Sequence, residues 1–244
     1  MKKPSLLCIG HRGAMGYAPE NTLSSVQKAL SLGVLCIEVD VYYVDKHLVI
    51  FHDYRLERTT DGEGYLAACS FEYLRTLDAG DGQKIPTIDE VSELIRSKAC
   101  LNIELKGSRT AEPVAEYILE KLEDGWDLES FLISSFHKDE LVIIKQLIPS
   151  IKIGVLINGK PRGDSKFAED LGAFSVHPSS GFVTKAFVDD AHNRCMRVFV
   201  YGVDDSTAVT RMYRLGADGV FTGYPKIILA HYAQGEVNTR WCDR

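Results

Sequence analysis

Short apolar runs alternate with helix-like segments from one end of the chain to the other, and that alternation restricts the fold to a parallel sheet covered by helices. The strand-like runs lie at 6–9, 35–41, 100–105, 131–135, 152–156, 173–176, 197–201 and 219–221. Helices are predicted between them over 22–32, 88–97, 111–122, 138–147, 167–171, 185–193 and 206–215. Eight strands with seven intervening helices predict a closed (β/α)8 TIM barrel, with an open doubly wound sheet as the alternative that periodicity leaves standing. Asn21 reads as the N-cap of the first helix. Thr87 and Glu90 form a capping box before Ile88. Gly33, Gly172 and Gly216 sit where helices must stop. The chain, 1–244, reads as a single catalytic domain. Its one irregular connection, 46–86, starts as a hairpin and continues as a Gly- and Asp-rich excursion, an insertion at about 54–86 over one barrel mouth.

Thirty-four Asp and Glu against 28 Lys and Arg leave a net charge of −6, which disfavours nucleic acid and anionic lipid as partners. Six cysteines without a CxxC pair read as free thiols. The apolar run 6–9 is too short for a secretory signal, and no stretch approaches a membrane span. A soluble protein of a reducing, cytoplasmic compartment, without stable membrane insertion, is the expectation.

The run Leu35-Cys36-Ile37-Glu38-Val39-Asp40-Val41 is the most informative stretch. A period of two places Leu35, Ile37, Val39 and Val41 on one face and both carboxylates on the other. In a barrel the apolar face belongs against the helices, so Glu38 and Asp40 point inward near the C-terminal end of the strand, where barrel active sites are built. The next strand repeats the pattern: Leu101, Ile103 and Leu105 alternate with Asn102, Glu104 and Lys106. Three gathered carboxylates repel one another unless a cation sits among them, and oxygen ligands favour Mg²⁺ or Ca²⁺. Buried ion pairs with Lys106 and Arg12 are the structural alternative.

His11 and Arg12 follow the first strand directly, flanked by Gly10 and Gly13. The hairpin decides the placement of His52. A three-residue loop sets it opposite Asp40 on the carboxylate face, whereas a two-residue loop sets it opposite Val39, on the other face unless a bulge intervenes. Two imidazoles, an arginine, a lysine and a metal-ready carboxylate cluster fit phosphodiester cleavage: cations for the non-bridging oxygens, and histidines for the two proton transfers.

The stretches Gly10-His11-Arg12-Gly13, Pro19-Glu20-Asn21-Thr22, Glu38-Val39-Asp40-Val41, His52-Asp53, Arg58-Thr59-Thr60, Leu77-Asp78-Ala79-Gly80, Ile85-Pro86-Thr87, Asn102-Ile103-Glu104-Leu105-Lys106 and Ser134-Ser135-Phe136 run in an order that resembles the glycerophosphodiester phosphodiesterase family. The resemblance covers most of the chain. It implies a TIM barrel of the phosphatidylinositol phospholipase C-like type with a small insertion after the second strand, and hydrolysis of small glycerophosphodiesters to sn-glycerol 3-phosphate and an alcohol. It also implies His11 and His52 as the acid/base pair, Glu38, Asp40 and Glu104 as ligands of a divalent cation, and Arg12 and Lys106 as phosphate contacts. Glu20 is a candidate brace for the metal site or a histidine, and Tyr201 a candidate pocket wall. The chain departs from the family pattern at Val200-Tyr201-Gly202-Val203-Asp204, where relatives carry a tryptophan, and at Thr222-Gly223-Tyr224-Pro225, where they carry an aspartate. Both departures bear on pocket shape. Lysophospholipase D-type activity on lysophospholipids and a non-catalytic phosphate-ligand sensor are the competing functions; a sensor is expected to have lost a catalytic histidine or metal ligand, and none is lost. His137 and His177 read as lone surface histidines.

Overall fold

A computed structural model describes residues 6–232 and 239–243. In chain order its elements are β1 (Leu7–Gly10), α1 (Leu23–Ser31), β2 (Cys36–Val44), β3 (His47–Ile50), α2 (Phe71–Thr76), α3 (Ile88–Ile95), β4 (Cys100–Leu105), α4 (Ala111–Glu123) and β5 (Phe131–Ser135). They continue with α5 (Lys138–Leu147), β6 (Lys152–Ile157), α6 (Asp164–Asp170), β7 (Ser175–Pro178), α7 (Lys185–Asn193), β8 (Arg197–Val200), α8 (Ser206–Leu215), β9 (Gly219–Thr222) and α9 (Pro225–Tyr232). Parallel pairing runs from β1 through β2, β4, β5, β6, β7, β8 and β9 and returns to β1, so the ring is closed and the open sheet is excluded. The fold is a TIM barrel. β3 pairs antiparallel with β2 outside that ring. The period-two reading of β2 and β4 holds: Ile37, Val39, Val41, Leu101, Ile103 and Leu105 pack with helix residues such as Val26, Val91 and Ile118. The barrel interior is filled by Leu7, Ile9, Cys36, Cys100, Leu132, Phe199 and Phe221.

Two helices, α2 and α9, were not anticipated, and α6 starts three residues earlier than the periodicity places it. Trp241, about which the sequence is silent, is buried with the interior cluster and donates its indole N–H to the Glu129 carbonyl at 3.0 Å, so the C-terminal segment docks at the barrel's N-terminal end. Thr87 and Glu90 form the expected capping box. The first helix is capped differently. Thr22, not Asn21, is its N-cap and accepts from the Ser25 N–H, while Asn21 takes a left-handed backbone (φ 56°) that turns its side chain elsewhere.

The β2–β3 hairpin has a two-residue loop, Asp45-Lys46, both at positive φ as a primed turn requires. Val44 therefore faces His47 rather than Leu48, and Val41 faces Ile50. Phe51 N–H still donates to the Asp40 carbonyl at 3.0 Å, and beyond it the chain leaves the ladder; residues 51–87 hold a small core of their own, where Leu56, Leu66, Leu74, Leu77 and Ile85 pack with Val49 and Phe51. Tyr54, Tyr65 and Tyr73 of this segment stay exposed.

His177 is not a surface residue. It is fully buried inside the barrel on β7, its Nε2 2.8 Å from Ser175 Oγ and its ring between Phe199 and Phe221. Gly154 on β6 makes room, since a Cβ there would lie 2.3 Å from His177 Cε1. Burial pushes the His177 pKa down to about 3. In the unfolded chain the ring takes its proton near 6.5, so the unfolded state binds more protons between those values. Stability from this residue is complete above about pH 6.5 and declines as pH falls toward 3. Chemical denaturation at pH 6 and pH 4 should show a smaller acid loss in His177→Gln than in the wild type, by up to about 1.4 kcal/mol per pH unit. Equal losses would refute the assignment.

Candidate active site

The turn after β1 brings the first catalytic candidates to the barrel mouth. His11 N–H donates to the Thr222 carbonyl at 3.0 Å, Gly13 N–H to the Glu38 carbonyl at 3.2 Å, and Arg12 N–H to Glu38 Oε2 at 2.8 Å. Arg12 itself sits at φ 50°, an uncommon conformation for a residue with a side chain. Gly13 at φ 83° allows the turn to lie against α1, where a Cβ would come within 2.5 Å of Ser25 Oγ. Ser25 Oγ closes the arrangement by donating to the Arg12 carbonyl at 2.7 Å and accepting from Ala14 N–H at 2.9 Å.

β2 and β4 then supply the carboxylates. Asp40 and Glu104 are register partners, and oxygens of Glu38, Asp40 and Glu104 all lie within 4.8 Å of one another in the barrel interior. All three residues are buried. Burial and the neighbouring carboxylates push Glu38 well above the usual range, and burial with Asp40 beside it pushes Glu104 up to about 7. Two cations answer part of this charge: Arg12 Nε lies 3.2 Å from Asp40 Oδ2, and Lys106 Nζ lies 2.8 Å from Glu104 Oε1 and 3.6 Å from Asp40 Oδ1. Glu38 Oε1 nonetheless remains buried without a partner, and Asp40 Oδ1 makes no hydrogen bond and has only the distant Lys106 Nζ. Such oxygens are costly unless something positive meets them. An all-carboxylate set with unmet oxygens fits a hard divalent cation, so the ion-pair reading covers only part of the cluster.

Asn21 holds the cluster from behind. Its Nδ2 donates to Asp40 Oδ2 at 2.8 Å, and its Oδ1 accepts from Asp40 N–H at 3.3 Å. The helix-cap reading missed this role because the partner is nineteen residues away.

His11, Arg12, Glu38, His52, Glu104, Lys106 and Tyr201 line one cavity of about 160 Å³ with Ser134, Phe136, Leu156 and Phe221. That volume lies below the range of sites enclosing drug-sized ligands. Asp40 is fully buried and does not line it. His52 is there despite the two-residue hairpin loop, because the chain has left the strand by that point and alternation no longer governs its side chain. Its Nδ1 is hydrogen-bonded to Asp53. Burial, with Arg12 next, lowers the His11 pKa to about 4, and burial lowers that of His52. The His11 imidazole is therefore neutral at neutral pH, the state a proton acceptor needs.

Glu20 lies off the cavity wall and accepts from Arg12 Nη1 at 2.7 Å and from both Arg58 terminal nitrogens at 2.8 and 2.7 Å. Against the opposing effect of burial, those hydrogen bonds hold its pKa at about 2. In the sequence Arg58 and Asp53 stand out only as parts of the Arg58-Thr59-Thr60 and His52-Asp53 motifs. The Tyr201 hydroxyl donates to the Ile157 carbonyl at 3.0 Å, and its ring packs edge-to-face on Phe136. Phe136, exposed on one side, sits 5.9 Å from Lys106 Nζ and forms part of the rim. His137 lies nearby on the surface, with Nε2 3.0 Å from the Lys106 carbonyl.

Comparison with known proteins identifies the family. The model of the glycerophosphoryl diester phosphodiesterase family matches residues 11–227. A glycerophosphodiester phosphodiesterase of Caldanaerobacter subterraneus subsp. tengcongensis is 34% identical over 91% of this chain and 96% of its own. One from Bacillus altitudinis is 32% identical over 89% and 94%. Among solved structures, an Oleispira antarctica phosphodiesterase in complex with the product sn-glycerol-3-phosphate superimposes with a TM-score of 0.85 at 32% identity, covering 93% of this chain and 96% of that one.

Proposed function

Since the chain belongs to the glycerophosphodiester phosphodiesterase family and is an enzyme of that class, we propose that it hydrolyses small, soluble glycerophosphodiesters to sn-glycerol 3-phosphate and an alcohol, assisted by a divalent cation. The observation that carries this reading is the buried carboxylate cluster, with Glu38 Oε1 unpartnered and Asp40 Oδ1 without a hydrogen bond, beside a cavity that two histidines and two cations line. The Oleispira antarctica relative's complex with sn-glycerol-3-phosphate supports the product.

Glu38, Asp40 and Glu104 would hold Mg²⁺ or Ca²⁺, which supplies positive charge where negative charge develops on the phosphoryl oxygens. Arg12 and Lys106 neutralise the non-bridging oxygens, each positioned by a carboxylate of the cluster. His11 and His52 divide the proton transfers: one accepts the proton of the oxygen that attacks phosphorus, from water itself or from the neighbouring glycerol hydroxyl whose cyclic phosphate water then opens, and the other donates one to the leaving alcohol as its bond to phosphorus breaks. Asp53 keeps His52 oriented through Nδ1, which leaves Nε2 for the reaction. Asn21 fixes the Asp40 carboxylate through its Oδ2. Tyr201 and Phe136 form the wall and rim that meet the leaving group.

The reading is tested by incubating the purified chain, in Mg²⁺ or Ca²⁺, with glycerophosphocholine, glycerophosphoethanolamine, glycerophosphoglycerol and lysophosphatidylcholine. Release of glycerol 3-phosphate from the three soluble diesters, well above any turnover of the lysophospholipid, is expected. Preferred turnover of lysophosphatidylcholine would move the substrate to lysophospholipids, and binding without turnover of any of the four would make the protein a phosphate-ligand sensor. Among the described residues no helix is long and apolar enough to cross a membrane.

A further inference from the structure

Arg58 has no part in the chemistry above, yet it joins the segment after β3 to the barrel beside the site. Its guanidinium donates Nη1 to Glu20 Oε2 at 2.8 Å and Nη2 to Glu20 Oε1 at 2.7 Å. On its other edge it donates Nε to Asp53 Oδ2 at 2.5 Å and Nη2 to Asp53 Oδ1 at 3.0 Å. Each carboxylate then passes the constraint inward: Asp53 to the Nδ1 of His52, and Glu20 to Arg12 Nη1 at 2.7 Å. One continuous chain of charge-assisted bonds thus runs His52, Asp53, Arg58, Glu20, Arg12. His52 and Asp53 arrive on a segment outside the barrel, whereas Glu20 and Arg12 belong to the connection between β1 and α1, so their relative placement depends on a tie between the two.

We infer that Arg58 is a positioning residue for the phosphodiesterase reaction, its two-sided grip on Asp53 and Glu20 setting the His52 ring and the Arg12 fork relative to each other. The inference rests on the roles given to His52 and Arg12 above. Only a planar guanidinium grips two carboxylates in this way, and an ammonium is a point charge that cannot. Arg58 is exposed, at 48%, which limits what its ion pairs contribute to stability, and the main consequence of losing it falls on geometry. Arg12 keeps its contact with Asp40 when Glu20 is released, so substrate capture is affected less than turnover.

The test compares wild type, Arg58→Ala, Arg58→Lys, Asp53→Asn and the Arg58→Ala, Asp53→Asn double variant for kcat, KM and thermal midpoint on one soluble glycerophosphodiester. In Arg58→Ala kcat is expected to fall by about 10–100-fold, the range typical of residues that orient site groups, while KM changes by less than about threefold and the midpoint is retained. Arg58→Lys should recover only part of the loss. The Arg58→Ala, Asp53→Asn double variant should be little worse than the poorer single one, as members of one chain do not act additively. A kcat of Arg58→Ala within about threefold of wild type overturns the inference. So does a loss that follows loss of folded protein in both Arg58 variants, which would make the residue structural. An active wild type with an indifferent Arg58→Ala removes this inference alone, whereas a wild type without turnover removes the phosphodiesterase reading and this inference with it.

Discussion

Glu104→Gln is expected to lower turnover of a glycerophosphodiester by more than about 100-fold, because replacing a mere supporting partner of a metal ligand already costs about 10–100-fold. The substitution keeps the shape of the side chain and removes its charge. Glu104 is buried among like charges, with Asp40 as its register partner and Lys106 as its ion pair, so in metal-free protein the change relieves repulsion and should leave the thermal midpoint no lower. Divalent cation should then raise the midpoint of the wild type, by mass action on the folded state, and raise that of Glu104→Gln far less. Thermal unfolding with and without 5 mM Mg²⁺ or Ca²⁺, on the order of a saturating concentration, separates the possibilities. An equal cation-dependent gain in both proteins would place the ion elsewhere.

His11→Ala should lower kcat by about 10²–10⁴-fold, the usual contribution of a positioned general acid or base. His52→Ala should do the same, and the double variant should be much less impaired than the product of the two effects, because the proton transfers serve one reaction. The pH dependence carries a sign. Burial and the adjacent Arg12 lower the His11 pKa to about 4, so its imidazole stays neutral and able to accept a proton well below the ordinary value of 6.5. The acid limb of kcat/KM assigned to His11 should accordingly lie below 6.5, activity being lost as pH falls through the lowered pKa. A limb at or above 6.5 that disappears in His11→Gln would contradict the burial argument.

Local periodicity made much of this legible. The alternation in β2 and β4 sorted Glu38, Asp40 and Glu104 from Ile37, Val39 and Ile103 because a strand's side-chain period is fixed by its geometry, whatever it packs against. The Thr87 box was readable because both partners lie within one helical turn. Readings failed where a distant partner decided the outcome. Asn21 looked like a cap because capping residues and carboxylate holders are the same chemical types; the choice was made by Asp40, on another strand. His52 reached the site by a route that strand register did not describe, the two-residue turn followed by departure from the ladder. For His177 the sequence does carry a signal: Ser175 and His177 alternate with Val176, which marks an inward polar face, and Gly154 on the neighbouring strand leaves the space for a ring.

The chain of ion pairs through Arg58 was beyond any local pattern. Glu20 and Arg58 are separated by 38 residues, and their meeting depends on how residues 51–87 fold against the barrel. Trp241 likewise acquires its meaning only from the Glu129 carbonyl, 112 residues earlier, and from the interior cluster it joins.

The most direct measurement is release of sn-glycerol 3-phosphate from glycerophosphocholine by chelator-treated wild type, before and after addition of Mg²⁺ or Ca²⁺, beside Glu104→Gln treated identically. Release should vanish on chelation, return with one or both cations in the wild type, and fail to return in the variant. Undiminished release by the metal-free wild type would contradict a cation held by Glu38, Asp40 and Glu104 as the centre of the chemistry.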